Sequence, residues 1–256
     1  MPTHRLPPLA LAYHGVADVP LRHDPDGLFV RPAEVAKHLR ALQRWGYDLV
    51  SFRELARAAS AGEAEGRASL TFDDGLADNL HALAPLLEKE GATATVFVTS
   101  GWLGEPYPPE PGGGRMLTVG ELRSLHARGV EIGAHTHTHP DLTQISMEDA
   151  RDELAHSREV LEDLLQAPIE TAAYPYGRAT AQTRSACRQA GLSAACRTSG
   201  EGSWDDPFDL PRQDMLSRST MAGLRLKRDD RYERLVALPP FRVARGVRRR
   251  TLGILS

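Results

Sequence analysis

The chain has 256 residues, 41% of them hydrophobic and 25% charged, with a mean hydropathy of -0.37. That composition belongs to an ordinary globular protein and excludes a disordered or fibrous chain, and no apolar run approaches the ~18 residues a membrane helix needs. The net charge of -3 is unevenly spread, because residues 221–256 hold ten Arg or Lys against three Asp or Glu, a net +7 that leaves -10 for the 220 residues before them.

Along the chain, short apolar runs alternate with longer segments of helical period, the rhythm of an α/β protein with a mainly parallel sheet. PLALAY (8–13) reads as a first strand. From Pro32 to Trp45 the apolar Val35, Leu39 and Leu42 fall on one helical face, with proline in the first turn. YDLV (47–50) is a second short strand, and SFRELARAA a helix that Ser51 and Glu54 would cap. ASLTF (68–72) is a strand running into Asp73, Asp74 and Gly75, followed by a helix around Leu80, Leu83 and Leu87 that ends at Gly91. After the strand ATVFVTS (94–100), the stretch EPYPPEPGGGR (105–115) suits neither helix nor strand and reads as a surface loop. A helix from Thr118 to Arg128, a strand from Val130 to Ala134 and a long helix from Met147 to Gln166 come next. ETAAYPYG (170–177) is a strand and its turn, then a helix through Cys187 ends at Gly191 before the strand LSAACRT. Six or seven strand–helix units suit a barrel-like parallel sheet or an open one equally well.

In such folds the active site collects at the C-terminal ends of the strands. His14, Asp73–Asp74, the His135–His139 cluster and Tyr176–Gly177 all fall there. AHTHTHP offers imidazoles, common ligands of zinc and related ions. A turn would bring His135 and His139 to one side, whereas an extended chain would align His135, His137 and His139. The adjacent carboxylates of Asp73 and Asp74 cannot both point the same way, so one can bind a cation while the other acts as a base. Two histidines and one aspartate leave coordination positions open, as catalytic sites do. His38, His81 and His156 sit in helical segments and read as solvated, and Cys187 and Cys196 as buried thiols.

TFDDG (71–75), HTHTHP (135–140) and YPYG (174–177), in this order, resemble the first three motifs of the NodB-homology polysaccharide deacetylases, carbohydrate esterase family 4. The resemblance runs from LAYHGV to about residue 216 and implies a distorted (β/α) barrel of about seven parallel strands. It also implies metal-dependent removal of acetyl groups from a sugar. By the same match, Asp73 is the catalytic base, and Asp74, His135 and His139 are the metal ligands. Tyr176 offers a backbone N–H to the oxyanion, Pro175 and Gly177 shape its turn, and His137 is a bystander. The implied cation is a divalent metal, zinc by ligand type, with Co2+, Ni2+, Fe2+ or Mn2+ as alternatives.

Two departures stand out. No histidine follows His156 to serve as the late general acid, and Ala172 and Ala173 stand where the third motif usually opens with arginine. AYHGV resembles the opening of a circularly permuted subgroup that includes poly-N-acetylglucosamine deacetylases, which makes His14 the expected acid. In a closed barrel the first and last strands are neighbours, so the swap is geometrically cheap. Arg212 in DLPRQD is the expected partner of Asp73, and Trp102, in a loop after a strand end, the expected sugar-stacking ring.

The function this implies is N-deacetylation of a GlcNAc-containing glycan or glycolipid precursor. An O-acetyl esterase on a polysaccharide such as xylan, and a carbohydrate-binding homologue without turnover, are the alternatives. The expected organisation is a deacetylase domain at 1–220 and a basic tail at 221–256. Within the tail, residues 241–255 could form a basic amphipathic helix on anionic lipid. A nucleic-acid partner, which would rest on the tail alone, is not expected, and oligomeric state is not legible. MPTHRLPPLALAYHGV has no evident leader and cysteines are few, so the expected location is cytoplasmic, at most peripheral at the inner membrane face.

Overall fold

The computed structural model describes residues 6–107 and 114–229. The apolar LALAY run is buried along its whole length as β1 (Leu9–Tyr13). β3 (Arg67–Phe72) and β4 (Thr95–Val98) are buried almost as fully. Burial on both faces is what a parallel sheet covered by helices requires. The remaining strands are β2 (Asp48–Leu49), β5 (Glu131–Ala134), β6 (Thr171–Ala173), β7 (Ala194–Cys196) and β8 (Gln213–Asp214). Seven of them run in the order β7-β6-β5-β4-β3-β1-β8, with β2 beside β3. Each pairing is parallel. The seven strands curl into a half-barrel, the distorted (β/α) barrel of NodB type.

A single stretch spans the half-barrel's open side. Leu210 bonds to the β7 region through Leu210 N–H to Ala195 O (3.1 Å) and Arg197 N–H to Leu210 O (2.9 Å). Three residues later, Gln213 and Asp214 lie opposite Leu11 and Ala12 of β1. β8 was not expected from the sequence, since two residues are too short to display a strand period.

The helices begin and end where the sequence signals them. α1 (Pro32–Trp45) carries proline in its first turn and stops at Gly46, which adopts φ 92°. α2 (Phe52–Ser60) opens with the reciprocal capping box of Ser51 and Glu54. The expected helix around Leu80–Leu87 is divided: one π-helical turn, Asn79–Leu83, precedes α3 (Ala84–Glu90). Pro85 lacks the N–H that would bond to His81 O in a regular ladder, and the turn widens. α4 (Val119–Ala127), α5 (Met147–Leu165) and α6 (Ala181–Gln189) follow the expected ranges. His38, expected to be solvated, is buried with its Nδ1 3.0 Å from the Tyr13 hydroxyl. Its place beside Val35 and Leu42 on the apolar stripe of α1 turns it inward.

The chain divides after Arg218 into two compact units. The described part of the second unit is α7 (Met221–Arg228), capped by the Thr220 hydroxyl, with Arg225, Lys227 and Arg228 in its last turn. The expected tail thus opens as a helix, and the amphipathic segment at 241–255 lies outside the described residues.

At the N-terminal ends of the strands, polar side chains fasten α2 to the sheet. The Thr95 hydroxyl accepts from Phe52 N–H (2.8 Å) and donates to Glu131 Oε2 (2.7 Å). Glu131 also receives Arg53 N–H and the Thr171 hydroxyl. In parallel barrels this end serves stability, and the opposite end serves chemistry. Thr95→Val keeps the shape but strands the Phe52 N–H, so urea unfolding should show a loss of about 1–3 kcal/mol.

Candidate active site

At the C-terminal end of β3, Asp74 takes a left-handed backbone (φ 75°), as does Gly75 (φ 89°). A side chain at Gly75 would press on Val98 Cγ1, 3.1 Å away. Beyond β5 the chain turns at Thr136 (φ 66°) and again at His139 (φ 63°). The Thr136 hydroxyl accepts from His139 N–H (3.0 Å), and Glu153 of α5 accepts from His137 N–H (2.9 Å) and Thr138 N–H (2.8 Å). These turns bring His135 Nε2 and His139 Nε2 to 3.5 and 3.6 Å from Asp74 Oδ1. They also exclude the extended arrangement. His137 points elsewhere, with its Nδ1 2.9 Å from Ser100 Oγ and its ring 4.3 Å from that of His156.

The donor set fits a divalent cation. One atom each of Asp74, His135 and His139 lies within 4.8 Å of the others. His135 Nδ1 donates to Ala173 O at 2.8 Å, which leaves the Nε2 lone pair facing the cluster. Burial, and then the neighbouring His135, push the His139 imidazole down to about 4. It is therefore neutral at pH 7, the form that ligates a metal. Two neutral imidazoles and one carboxylate would leave positions open for water and substrate.

Asp73, beside the same cluster, has a different partner. Arg212 Nη1 and Nη2 donate to Asp73 Oδ1 (2.6 Å) and Oδ2 (2.8 Å), a two-pronged pair. Nη1 also donates to Thr71 Oγ1 (2.8 Å) and Nε to Arg197 O (2.9 Å). The Arg212 side chain is 0% exposed and Asp73 3%. Burial alone would raise the Asp73 carboxyl. The charge of Arg212 and its hydrogen bonds outweigh it and hold the group below the usual carboxylate range.

The rim carries the other expected residues. His14 follows β1, half-buried, with Asn79 Nδ2 donating to its carbonyl (3.2 Å). Its Nδ1 is buried without a hydrogen-bond partner among the described residues. Trp102 and Tyr176 flank His139, with ring centroids 5.0 and 4.9 Å from it. Tyr176 is 61% exposed and left-handed (φ 57°). The bonds closing its turn run from Gly177 N–H to Tyr174 O and from Arg178 N–H to Pro175 O, so neither uses the Tyr176 N–H. A Cβ on Gly177 would collide with the Thr198 hydroxyl, which explains glycine there. Sequence reasoning missed Tyr107, whose hydroxyl donates to Asp74 Oδ2 at 2.8 Å. Its signal is a lone aromatic among prolines in the loop at 105–115.

The sequence model of a family described as polysaccharide deacetylase matches residues 61–195, more than half of the chain. YxkH of Bacillus subtilis, provisionally described as a polysaccharide deacetylase, is 24% identical over 190 residues, 73% of this chain and 63% of that protein. The chain therefore spans less than two thirds of that relative. Among solved structures, the Streptococcus pyogenes deacetylase PplD, in complex with acetate, superposes with a TM-score of 0.74 at 25% identity over 87% of this chain and 98% of its own. IcaB from Ammonifex degensii shares the fold at 20% identity, with a TM-score of 0.71 over 90% of this chain and all of its own. With the DDG turn, the two facing histidines and the half-barrel beneath them, this match establishes that the chain belongs to the polysaccharide deacetylase family.

Proposed function

We propose that the chain is a divalent-metal-dependent hydrolase that removes N-acetyl groups from GlcNAc-containing glycans or glycolipid precursors. The observation that carries this reading is the pair of adjacent aspartates with unlike partners. Asp74 faces His135 and His139 while Asp73 is gripped by Arg212, with His14, Trp102 and Tyr176 around them. A cation held by Asp74, His135 and His139, zinc by ligand type, would polarise the acetyl carbonyl and lower the pKa of a water towards neutrality.

The chain's own groups supply the rest. Asp73, fixed by the guanidinium fork, takes the proton from the attacking water on a carboxylate oxygen. The Tyr176 N–H, outside the hydrogen bonds of its own turn, supports the negative charge that develops on the acetyl oxygen. The His14 imidazole gives a proton to the departing amine nitrogen. Trp102 and Tyr176 offer aromatic faces on which a sugar ring can lie. That PplD was solved with acetate, the acid a deacetylation releases, is in keeping with this reading.

Acetate release from chitooligosaccharides should be abolished by a chelator and restored by zinc, and Asp73→Asn should lower kcat by about 10²–10⁴-fold. Release that survives chelation would exclude the proposal. A metal-loaded protein inactive on chitooligosaccharides but active on acetylated xylan would move the assignment to an O-acetyl esterase.

His14→Ala should cost about 10²–10⁴-fold on the amide substrate. It should cost far less on an activated aryl acetate, whose leaving phenolate needs no proton. Equal losses on both substrates would remove His14 from the acid role.

Arg212→Met leaves the Asp73 carboxylate buried without its counter-charge. Denaturant unfolding should report a loss of about 3–5 kcal/mol, accompanied by lower kcat. Wild-type stability in this variant would mean the pair is dispensable to the fold.

A further inference from the structure

The two described ends of the segment 105–115, residues 105–107 and 114–115, are fastened to each other and to the site; residues 108–113 lie outside the described residues. The two ends meet at an isolated antiparallel bridge between Pro106 and Arg115, and Tyr107 N–H donates to Gly114 O (3.2 Å). The returning side runs against the turn that holds the aspartates. Leu117 N–H donates to Gly75 O (2.9 Å), Ala77 N–H donates to Arg115 O (2.9 Å), and Leu76 bridges Met116. Arg115 is fastened in turn by two bonds to the Glu121 carboxylate, 2.6 and 2.5 Å. The foot of the loop is thus tied to both the catalytic turn and α4.

That tie carries Tyr107 inward. The residue is 2% exposed, and its ring meets Phe29 and Trp102 edge-on at 6.3 and 6.4 Å. Its hydroxyl donates to Asp74 Oδ2 at 2.8 Å, while Asp74 Oδ1 is the oxygen that faces His135 and His139. The two oxygens of one carboxylate therefore have different duties. A free carboxylate can rotate and can offer a cation either oxygen or both. One whose Oδ2 is held by a buried phenol presents Oδ1 alone, in a fixed direction. Partners of this kind orient ligands and typically change metal affinity or activity by about 10–100-fold.

We propose that Tyr107 is a positioning residue for the metal centre: it holds Asp74 Oδ2 so that Oδ1 is aimed at the cation shared with His135 and His139. The inference rests on the metal-dependent reading above. It assigns a second role to a loop whose composition announces only a turn.

The test is zinc affinity, measured by competition with a chromophoric chelator, for the wild type and Tyr107→Phe, together with thermal melting of both proteins without metal. The isosteric variant should bind zinc about 10–100-fold more weakly. Its metal-free melting should match the wild type, and excess zinc should recover much of its kcat. Phe29→Leu, which loosens the ring packing but keeps the hydroxyl, should retain wild-type zinc affinity. Equal affinity in the wild type and Tyr107→Phe overturns the inference and leaves the metal-dependent reading standing. A comparable loss in Phe29→Leu also overturns it, because packing and not the hydrogen bond would then be responsible. A wild type that takes up no zinc or other divalent ion overturns the metal reading, and this inference with it.

Discussion

The structure turns on one buried ion pair. Arg212 is the largest fully buried side chain, and it stands in the interior of the half-barrel, where an apolar residue would ordinarily pack. Its charge is met by both oxygens of Asp73, its remaining donors reach Thr71 and Arg197, and the guanidinium carbon lies 5.3 Å from the centre of the Phe97 ring. A buried pair of this kind is no more stabilising than well-packed hydrophobic residues of the same volume, because desolvating two charges costs about what their attraction returns. What it does provide is a carboxylate that cannot move. Arg212 also lies between Leu210, which bonds to the β7 region, and β8, which pairs with β1, so closing the sheet and fixing the Asp73 carboxylate are one event.

Above that pair the backbone is strained in a pattern that follows the site. Six described residues other than glycine have positive φ, and four of them are Asp74, Thr136, His139 and Tyr176. Each such residue costs on the order of 1–3 kcal/mol. The turns persist because other bonds over-determine them. Thr99 N–H donates to Asp74 O, Ser100 N–H to Thr136 O, and Gly101 N–H to His137 O. Gly101 has to be glycine, since a Cβ there would lie 2.5 Å from that same His137 carbonyl. The loop after β4 therefore serves as a backbone brace between the aspartate turn and the histidine turn.

Much of this was legible in the sequence, and the boundary has a physical reason. The strands and helices follow from period and capping, which are local. The DDG and HTHTHP motifs are contiguous, so the candidate residues announce themselves by spacing, and the resemblance chooses among them. Tyr107, by contrast, reaches Asp74 across 33 residues through a loop whose prolines and glycines mask its aim. Arg212 reaches Asp73 across 139 residues, a pairing expected from the resemblance and found in the fold, though nothing in DLPRQD itself shows that the side chain turns inward. His38 was misread because a histidine on an apolar stripe looks like any polar interruption until its partner, Tyr13, is known. Local chemistry is written in neighbouring letters; the partner that fixes it belongs to the fold.

The two adjacent aspartates show why the partners matter. Both are buried carboxylates, one residue apart, with a left-handed turn at Asp74, and they meet different partners. Asp73 meets a cation, which neutralises its charge and lowers its pKa. Asp74 meets a neutral phenol, which fixes the direction of one oxygen and leaves the negative charge to act on what lies beside His135 and His139. Exchanging the partners would defeat the arrangement. A guanidinium on Asp74 would offset the charge that attracts a metal, and a phenol alone on Asp73 would leave a buried carboxylate to be protonated under its desolvation penalty. The pairing of arginine with one aspartate and tyrosine with the other suits two identical side chains, next to each other in the chain, to the unlike roles of base and ligand that we propose for them.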